Sequence, residues 1–212
     1  MKSITDRMTE YGVIPVIKLD SPEDALPLAS SLKAGGLCCA EITFRTDAAE
    51  EAIKLIAKAH SDFLLIAGTV LTQEQVKRAI SAGAQAIVSP GLNPAVVSYC
   101  LSNGIPVIPG VCTPSEIEAG LSMGLEYLKF FPAEAAGGVK MIKAVSAPYT
   151  RVKFMPTGGI NAANIADYLA LGSVFACGGS WMATDKLINE KRFDEITALT
   201  AQAVAAVREA RK

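Results

Sequence analysis

A lysine stands among apolar and aromatic residues in the segment Leu128-Lys129-Phe130-Phe131-Pro132-Ala133-Glu134. An unpaired ammonium group is costly to bury, so a lysine in such surroundings tends to lose its proton. The neutral amine that results is a nucleophile and can attack a carbonyl carbon. Two interpretations compete: a catalytic amine, or a strand-end lysine whose stem packs on the aromatic rings while its ammonium group reaches water.

A glutamate lies in a similarly apolar run, CCAEIT, at position 41. Glu41 is either the buried ionic partner of Lys129 or Arg45, or a general acid or base. Residues two apart on a strand share a side, so Glu41, Thr43 and Arg45 are expected to face the place where Lys129 arrives. Arg45 is a solvated loop residue, a partner of Asp47, or a bidentate clamp on a substrate carboxylate.

Two glycine clusters, Gly158-Gly159 and Gly178-Gly179-Ser180, follow the last two apolar runs of the chain. One such pair is most often an ordinary turn. Two of them, after the seventh and eighth predicted strands, occupy the places where α/β barrels commonly bind phosphate through backbone amides. We therefore predict an anion-binding site there.

The elements that must position these residues form a regular series. Eight short apolar runs alternate with helical patterns, and their starts lie roughly 20 to 26 residues apart, as parallel βα units require: 13–17, 38–43, 64–67, 86–89, 107–109, 127–130, 151–155 and 174–177. An open doubly wound sheet usually has fewer strands and a glycine-rich turn after the first, whereas residues 17–20 contain no glycine. We predict an α/β protein, a single-domain (β/α)8 TIM barrel over residues 1–212.

Helix boundaries are legible from capping residues. Helices are predicted to open at Ser21-Pro22, Thr46-Asp47, Thr72, Asn93-Pro94 and Thr113-Pro114 and to end near 35–36, Gly83, Gly104 and Gly124, with a final helix over 193–211. Each opening marks a loop that follows a strand. In barrels these loops build the active site, so the polar residues above are expected to share one bowl.

Composition narrows the possible partners. Twenty Lys and Arg against 21 Asp and Glu give a net charge of −1, with no basic stripe for nucleic acid or an anionic membrane. No apolar run is long enough to cross a bilayer and the start is polar, which favours a cytoplasmic protein. The five cysteines are odd in number and are expected to be buried free thiols. A single histidine, His60, leaves little for a metal site or a Ser-His-Asp triad.

Several motifs together resemble one known family over almost the whole chain: IPVI at 14–17, EITFRT at 41–46, AGTV at 67–70, VSPG at 88–91, IPGVCTPSE at 108–116, LKFFPAE at 128–134, PTGGI at 156–160 and GGSW at 178–181. The sequence is similar to the 2-keto-3-deoxy-6-phosphogluconate aldolases, many of which also act on 4-hydroxy-2-oxoglutarate. Ile66 stands where many members have glycine, and Cys112 where serine is common. Neither departure removes a catalytic group.

The resemblance implies a class I aldolase of carbohydrate metabolism, in the Entner–Doudoroff pathway, that needs no cofactor or metal. Lys129 matches the Schiff-base lysine and Glu41 the acid–base residue. The substrate-binding positions match as follows: Arg45 and Thr69 for the pyruvate carboxylate, Gly158, Gly159 and Ser180 for the phosphate, and Thr157 for the configuration at C4. Pro90 and Phe131 are expected to wall the pocket. The family is generally homotrimeric, and the expected partner is a small phosphorylated 2-keto acid.

Two other functions remain open on the residues alone. One is a phosphate-binding barrel isomerase or epimerase, in which Glu41 is the base and Lys129 only its electrostatic partner. The other is a non-catalytic sugar-phosphate-binding module. An adduct on Lys129, trapped by borohydride in the presence of pyruvate, would distinguish the aldolase from both.

Overall fold

The computed structural model describes residues 2–212 as parallel β-strands that alternate with α-helices. The strands are β1 (Val13–Ile17), β2 (Cys39–Thr43), β3 (Leu64–Gly68), β4 (Ala86–Val88), β5 (Val107–Ile108), β6 (Gly110–Val111), β7 (Tyr127–Phe130), β8 (Lys153–Pro156) and β9 (Cys177–Gly179). The helices are α1 (Ile4–Tyr11), α2 (Ala25–Ala34), α3 (Ala48–Ala59), α4 (Gln73–Ala82), α5 (Pro94–Ser102), α6 (Pro114–Ser122), α7 (Gly138–Ser146), α8 (Ile165–Leu169), α9 (Asp185–Asn189) and α10 (Phe193–Ala210). A short 3-10 helix, Pro22–Asp24, precedes α2.

The strands pair in parallel throughout and form a curled sheet. Six of them run in the order β5-β4-β3-β2-β1-β9 and three in the order β6-β7-β8. Pro109 alone separates β5 from β6, and a single bridge joins Thr157, after β8, to Gly178 in β9. The carboxyl ends of the strands therefore gather on one side of the molecule, and the prediction of a parallel α/β protein is confirmed.

The strands carry the core because both of their faces are covered. All five residues of β2 and all five of β3 are buried, which explains why these segments are apolar runs rather than alternating patterns. Among residues 2–212 the buried charged side chains are Asp24, Glu41 and Lys129. Two of these three are the residues that sequence analysis selects for chemistry.

The predicted helix starts are mostly confirmed by side-chain caps. Thr72, Asn93 and Thr113 each accept a hydrogen bond from the first turn of the helix that follows. Asp47 occupies the N-cap of α3 without a side-chain bond, and Ser21 caps the 3-10 helix instead of opening α2 directly. None of the helices described for residues 2–212 is long and apolar enough to cross a membrane.

The eighth predicted strand is wrong in its bounds. The apolar run 174–177 suggests the strand, yet the observed strand is Cys177–Gly179, and Val174 makes only an isolated bridge to Phe154. The glycines belong to the strand because neighbours come close: a Cβ on Gly178 would lie 2.4 Å from Thr157 Oγ1, and one on Gly179 only 1.9 Å from the Trp181 ring. Glycine inside a strand marks this kind of close approach.

All five cysteines are free, as predicted, although burial is complete only for Cys39, Cys100 and Cys177. Burial raises the pKa of Cys100 to about 11 and that of Cys177 to about 12. These thiols stay protonated at neutral pH and pack as small apolar groups. Cys38 and Cys112 are half-buried.

Candidate active site

A cavity of about 340 Å³ opens at the carboxyl ends of the strands. Every site residue predicted from the sequence lines it: Glu41, Arg45, Thr69, Pro90, Lys129, Phe131, Thr157, Gly158, Gly159 and Ser180. These residues come from loops and strands spread between positions 41 and 180, so the curled sheet is what brings them together.

Lys129 and Glu41 form a buried pair at the bottom of this cavity. Lys129 Nζ lies 3.3 Å from Glu41 Oε1, and the two residues are 5% and 0% exposed. The second carboxylate oxygen, Glu41 Oε2, is buried without a hydrogen-bond partner among residues 2–212. A buried oxygen without a partner is unfavourable for stability and marks a group available to a ligand.

The backbone fixes both members of the pair. Lys129 belongs to β7, where its amide donates to Pro109 O at 2.9 Å. Glu41 is central in β2, paired in register with Val16 of β1 and Ile66 of β3. Its carboxylate fills space left by Gly68, because a Cβ on that residue would lie 2.2 Å from Glu41 Oε1. The pair is therefore placed by strand register rather than by mobile loops.

An aromatic ring shields the amine. The Phe131 ring centroid lies 5.4 Å from Lys129 Nζ, within the range of a cation–π contact. Pro90 lines the same cavity. Both side chains present apolar surface to the cavity, and the Phe131 ring does so beside the amine.

Arg45 is held by a short chain of hydrogen bonds. Thr43 Oγ1 donates to Ile17 O at 2.7 Å and accepts from Arg45 Nε at 3.1 Å. The terminal guanidinium nitrogens of Arg45 have no hydrogen bond to another part of residues 2–212 and can receive a carboxylate in bidentate geometry. The nearby Thr69 has a φ of 55°, an uncommon value outside glycine that often accompanies functional sites.

The glycine loops form the opposite wall. Gly158 and Gly159 have φ values of 99° and 83°, and the exposed Ser180 follows β9. The amides of these three residues donate no backbone hydrogen bond elsewhere in the described chain. Unpaired amides at the wall of a cavity can bind an anion without help from a lysine or arginine.

Sequence reasoning misses some of what builds the site. Val16 and Ile160 line the cavity but carry no polar signal, although both lie inside the motifs IPVI and PTGGI. The orienting bond from Thr43 to Arg45 and the fit of Glu41 beside Gly68 depend on distances between strands. In residues 2–212 no group of three or more His, Cys, Asp or Glu side chains is arranged to hold a metal ion.

A buried amine, a carboxylate and unpaired backbone amides around one cavity suit lysine-dependent carbonyl chemistry. They lie at the carboxyl ends of the parallel strands, where α/β proteins commonly carry their active sites. The class is thus that of Schiff-base enzymes. The chain belongs to the KDPG and KHG aldolase family, whose model matches residues 4–199.

Individual relatives agree with this assignment. The chain is 50% identical over 203 residues to a 2-dehydro-3-deoxy-phosphogluconate aldolase of Haemophilus influenzae, with 96% of each chain covered. It is 44% identical over 197 residues to the KHG/KDPG aldolase of Escherichia coli, covering 93% of this chain and 92% of the relative.

A solved structure agrees as well. The crystal structure of KDPG aldolase from Legionella pneumophila, with pyruvate captured at low pH as a covalent carbinolamine intermediate, matches this chain with a TM-score of 0.92. That match has 42% identity and covers 95% of this chain and 98% of the other. The resemblance read from the motifs is confirmed.

Proposed function

We propose that this chain is a class I aldolase that cleaves 2-keto-3-deoxy-6-phosphogluconate to pyruvate and glyceraldehyde 3-phosphate, and that it also acts on 4-hydroxy-2-oxoglutarate. The observation that carries the proposal is the buried amine of Lys129, 3.3 Å from the Glu41 carboxylate. Membership of the aldolase family supports it.

The first step is imine formation. Lys129 Nζ attacks the C2 carbonyl of the substrate, and a proton moves to the carbonyl oxygen to give a carbinolamine. Water then leaves, and the C2–N bond becomes a protonated imine. Glu41 lies close enough to the amine to accept and return the protons of this exchange.

The second step breaks the C3–C4 bond. Glu41 takes the proton of the C4 hydroxyl, directly or through a water, and the hydroxyl oxygen becomes the aldehyde oxygen of the leaving fragment. The bonding pair moves into the imine, which acts as the electron sink, and an enamine remains on Lys129. Glu41 then returns a proton to C3, and water hydrolyses the imine to release pyruvate.

The two ends of the substrate have separate anchors in this proposal. The guanidinium of Arg45 and the hydroxyl of Thr69 bind the carboxylate next to the reacting ketone. The amides of Gly158 and Gly159, together with Ser180, bind the phosphate.

The remaining predicted residues complete this pocket. Thr157 lies between the two anchors and faces C4 of the substrate, while Pro90 and Phe131 form apolar walls of the pocket. The cavity lining and the φ values of the glycine turn support this assignment.

We also propose that residues 1–212 form one closed (β/α)8 barrel domain. Pro109 interrupts a single strand, so that β5 pairs with β4 and β6 with β7. The Thr157–Gly178 bridge supports closure between β8 and β9.

We propose a homotrimer on the strength of the family resemblance. The five free thiols are typical of a reducing compartment and support a cytoplasmic location.

Reductive trapping tests the function. Incubation with pyruvate and borohydride should add one reduced pyruvate adduct, located on Lys129 by peptide mapping. The Lys129→Arg variant should give no adduct and no cleavage, because a guanidinium keeps its proton and cannot form the imine.

Lys153→Arg is the matched control for the trapping experiment. Lys153 opens the next strand, with its ammonium on Gly172 O at 2.7 Å, and its replacement should leave trapping intact. An unlabelled wild-type enzyme that still isomerises or epimerises a sugar phosphate would overturn the aldolase proposal.

A further inference from the structure

Glu134, the last residue of the LKFFPAE motif, lies against the back of the glycine turn. Its amide donates to Gly158 O at 3.0 Å, and the amide of Ala133 donates to Thr157 O at 2.8 Å. Its side chain fills the space beside the second glycine: a Cβ on Gly159 would lie 2.5 Å from Glu134 Cγ and 2.7 Å from its Cβ. The stem of Glu134 thus occupies the place that a side chain at position 159 would take.

Tyr168, on α8, holds the far end of Glu134. Its side chain is fully buried, and its hydroxyl donates to Glu134 Oε1. A Cβ on Gly138 would lie 3.1 Å from both Glu134 Oε1 and the Tyr168 hydroxyl, so this glycine leaves room for the bond. Burial, followed by the bond to Glu134, raises the pKa of Tyr168, and the hydroxyl remains a donor across the neutral range.

The turn needs support from outside because its own residues provide none. Gly158 and Gly159 both lie in the left-handed region and have no side chains that could fix it. Two amides hold it on the other side: Asn161 Nδ2 and Asn164 Nδ2 donate to Gly159 O at 3.2 and 3.0 Å. The turn is therefore held between a pair of asparagines and the Glu134–Tyr168 pair.

We propose that Glu134 and Tyr168 are positioning residues that aim the Gly158–Gly159 amides at the substrate phosphate and so set selectivity for the phosphorylated substrate. This inference rests on the proposed function, in which those amides form the phosphate site. Neither residue lines the reaction cavity, and a carboxylate would repel a phosphate. Their influence therefore passes through the backbone of the turn.

The test separates the two substrates. In Glu134→Ala the stem and the acceptor are lost, and KM for the phosphorylated substrate should rise about 10-fold, the effect of weakening one charge-assisted hydrogen bond. The kcat for that substrate, and kcat/KM for 4-hydroxy-2-oxoglutarate, should stay within about twofold of wild type. Glu134→Gln keeps the stem and a carbonyl acceptor and should restore most of the affinity.

Tyr168→Phe removes a single oxygen and should reproduce the same selective rise in KM, more weakly. If Glu134→Ala does not fold, the KM of Tyr168→Phe for the phosphorylated substrate tests the positioning role alone. Tyr149→Phe is the control, because the Tyr149 hydroxyl makes the same kind of bond, to Glu118 Oε1 at 2.8 Å, away from the cavity. Its kinetics should match those of wild type.

Two results would overturn the inference: an unchanged KM for the phosphorylated substrate in both Glu134→Ala and Tyr168→Phe, or an equal loss on both substrates. Ser180→Asp, measured in parallel, distinguishes failure of the positioning role from failure of the phosphate site itself. If it raises KM for the phosphorylated substrate while the Glu134 and Tyr168 variants do not, the phosphate site stands and the positioning role is wrong. If Ser180→Asp also has no effect, the phosphate site itself is misplaced and the inference fails with it.

Discussion

At the scale of single residues, the proposed chemistry depends on one carboxylate, that of Glu41, which packs against a glycine. Glu41 is fully buried, and its Oε1 lies where a Cβ on Gly68 would clash. The carboxylate cannot turn toward β3 without this glycine. The contact links the pair that we propose to react, Lys129 and Glu41, to the neighbouring strand β3.

We expect Gly68→Ala to damage catalysis more than folding. The added methyl group would displace the Glu41 carboxylate by about 1 Å, which lowers kcat roughly 100-fold, while overpacking costs about 1–3 kcal/mol of stability. Steady-state cleavage assays and thermal unfolding measure the two effects. Gly172→Ala is the control, because a Cβ there meets nothing within 4 Å. Unchanged kcat in Gly68→Ala would show that Glu41 need not hold its present position.

The sequence singles out Lys129 and Glu41 because they are charges in otherwise apolar strands, and the structure places the two side chains 3.3 Å apart. Burial makes such charges rare, so their positions carry information. The hydrogen bond between Tyr168 and Glu134 cannot be predicted from the sequence, because the two residues are 34 positions apart and neither is unusual in its own segment.

At the scale of elements, α6 illustrates how a capping motif determines local structure. Glu116 Oε2 accepts from the amides of Cys112 and Thr113 at 2.7 and 2.9 Å and from the Thr113 hydroxyl at 3.0 Å. Burial alone would raise the pKa of Glu116, but these bonds together outweigh burial and hold the pKa below its ordinary value. The loop between β6 and α6 is closed by this one carboxylate.

We therefore expect Glu116→Gln to lower the free energy of unfolding by about 0.5–1 kcal/mol at pH 7. A carboxyl group with a lower pKa in the folded state stabilises the fold above its unfolded pKa, and this contribution is lost as pH falls through the folded pKa. Urea unfolding at a series of pH values measures the difference, which should be present at pH 7 and vanish in acid.

Glu74→Gln provides the matched control for this measurement. Glu74 lies in the first turn of α4 and accepts no hydrogen bond within the described chain, so its replacement should change stability by less than that of Glu116. A Glu116→Gln deficit that stays constant down to acid pH would mean that packing, not the charge, supports the cap.

Most of the predicted helices begin with a recognisable cap directly after a predicted strand, whereas α1 and α9 are missed. The helix α1 carries a complete capping box from Ser3 and Asp6 and an apolar stripe at Ile4, Met8 and Tyr11, but its other residues are polar and only Met8 is fully buried. The helix α9 has five residues, too few for a helical period to show in the sequence. In β9 the sequence misleads, because Gly178 and Gly179 read as a turn while tertiary contacts require them inside the strand.

At the scale of the whole molecule, the proposed trimer depends on surface shape, which no sequence period reveals. Light scattering at working concentration should give a particle of three times the chain mass. Cleavage assays over the same dilution range serve as the control, since they report whether isolated chains retain activity. A monomer that keeps full kcat would contradict the trimer proposal and leave the chemistry of Lys129 and Glu41 untouched.

The pairing of β1 with β9 has a consequence for biosynthesis. Val13 lies opposite Cys177, so one edge of β1 has no partner until nearly the whole sheet has been translated. At about 5–20 residues per second, that delay is on the order of ten seconds. For this time an apolar strand edge on the nascent chain is open to unwanted pairing. The strand β1, which leaves the ribosome first, thus waits longest for its second neighbour, β9. Its unpaired edge is the part of the nascent sheet that a chaperone would most need to protect.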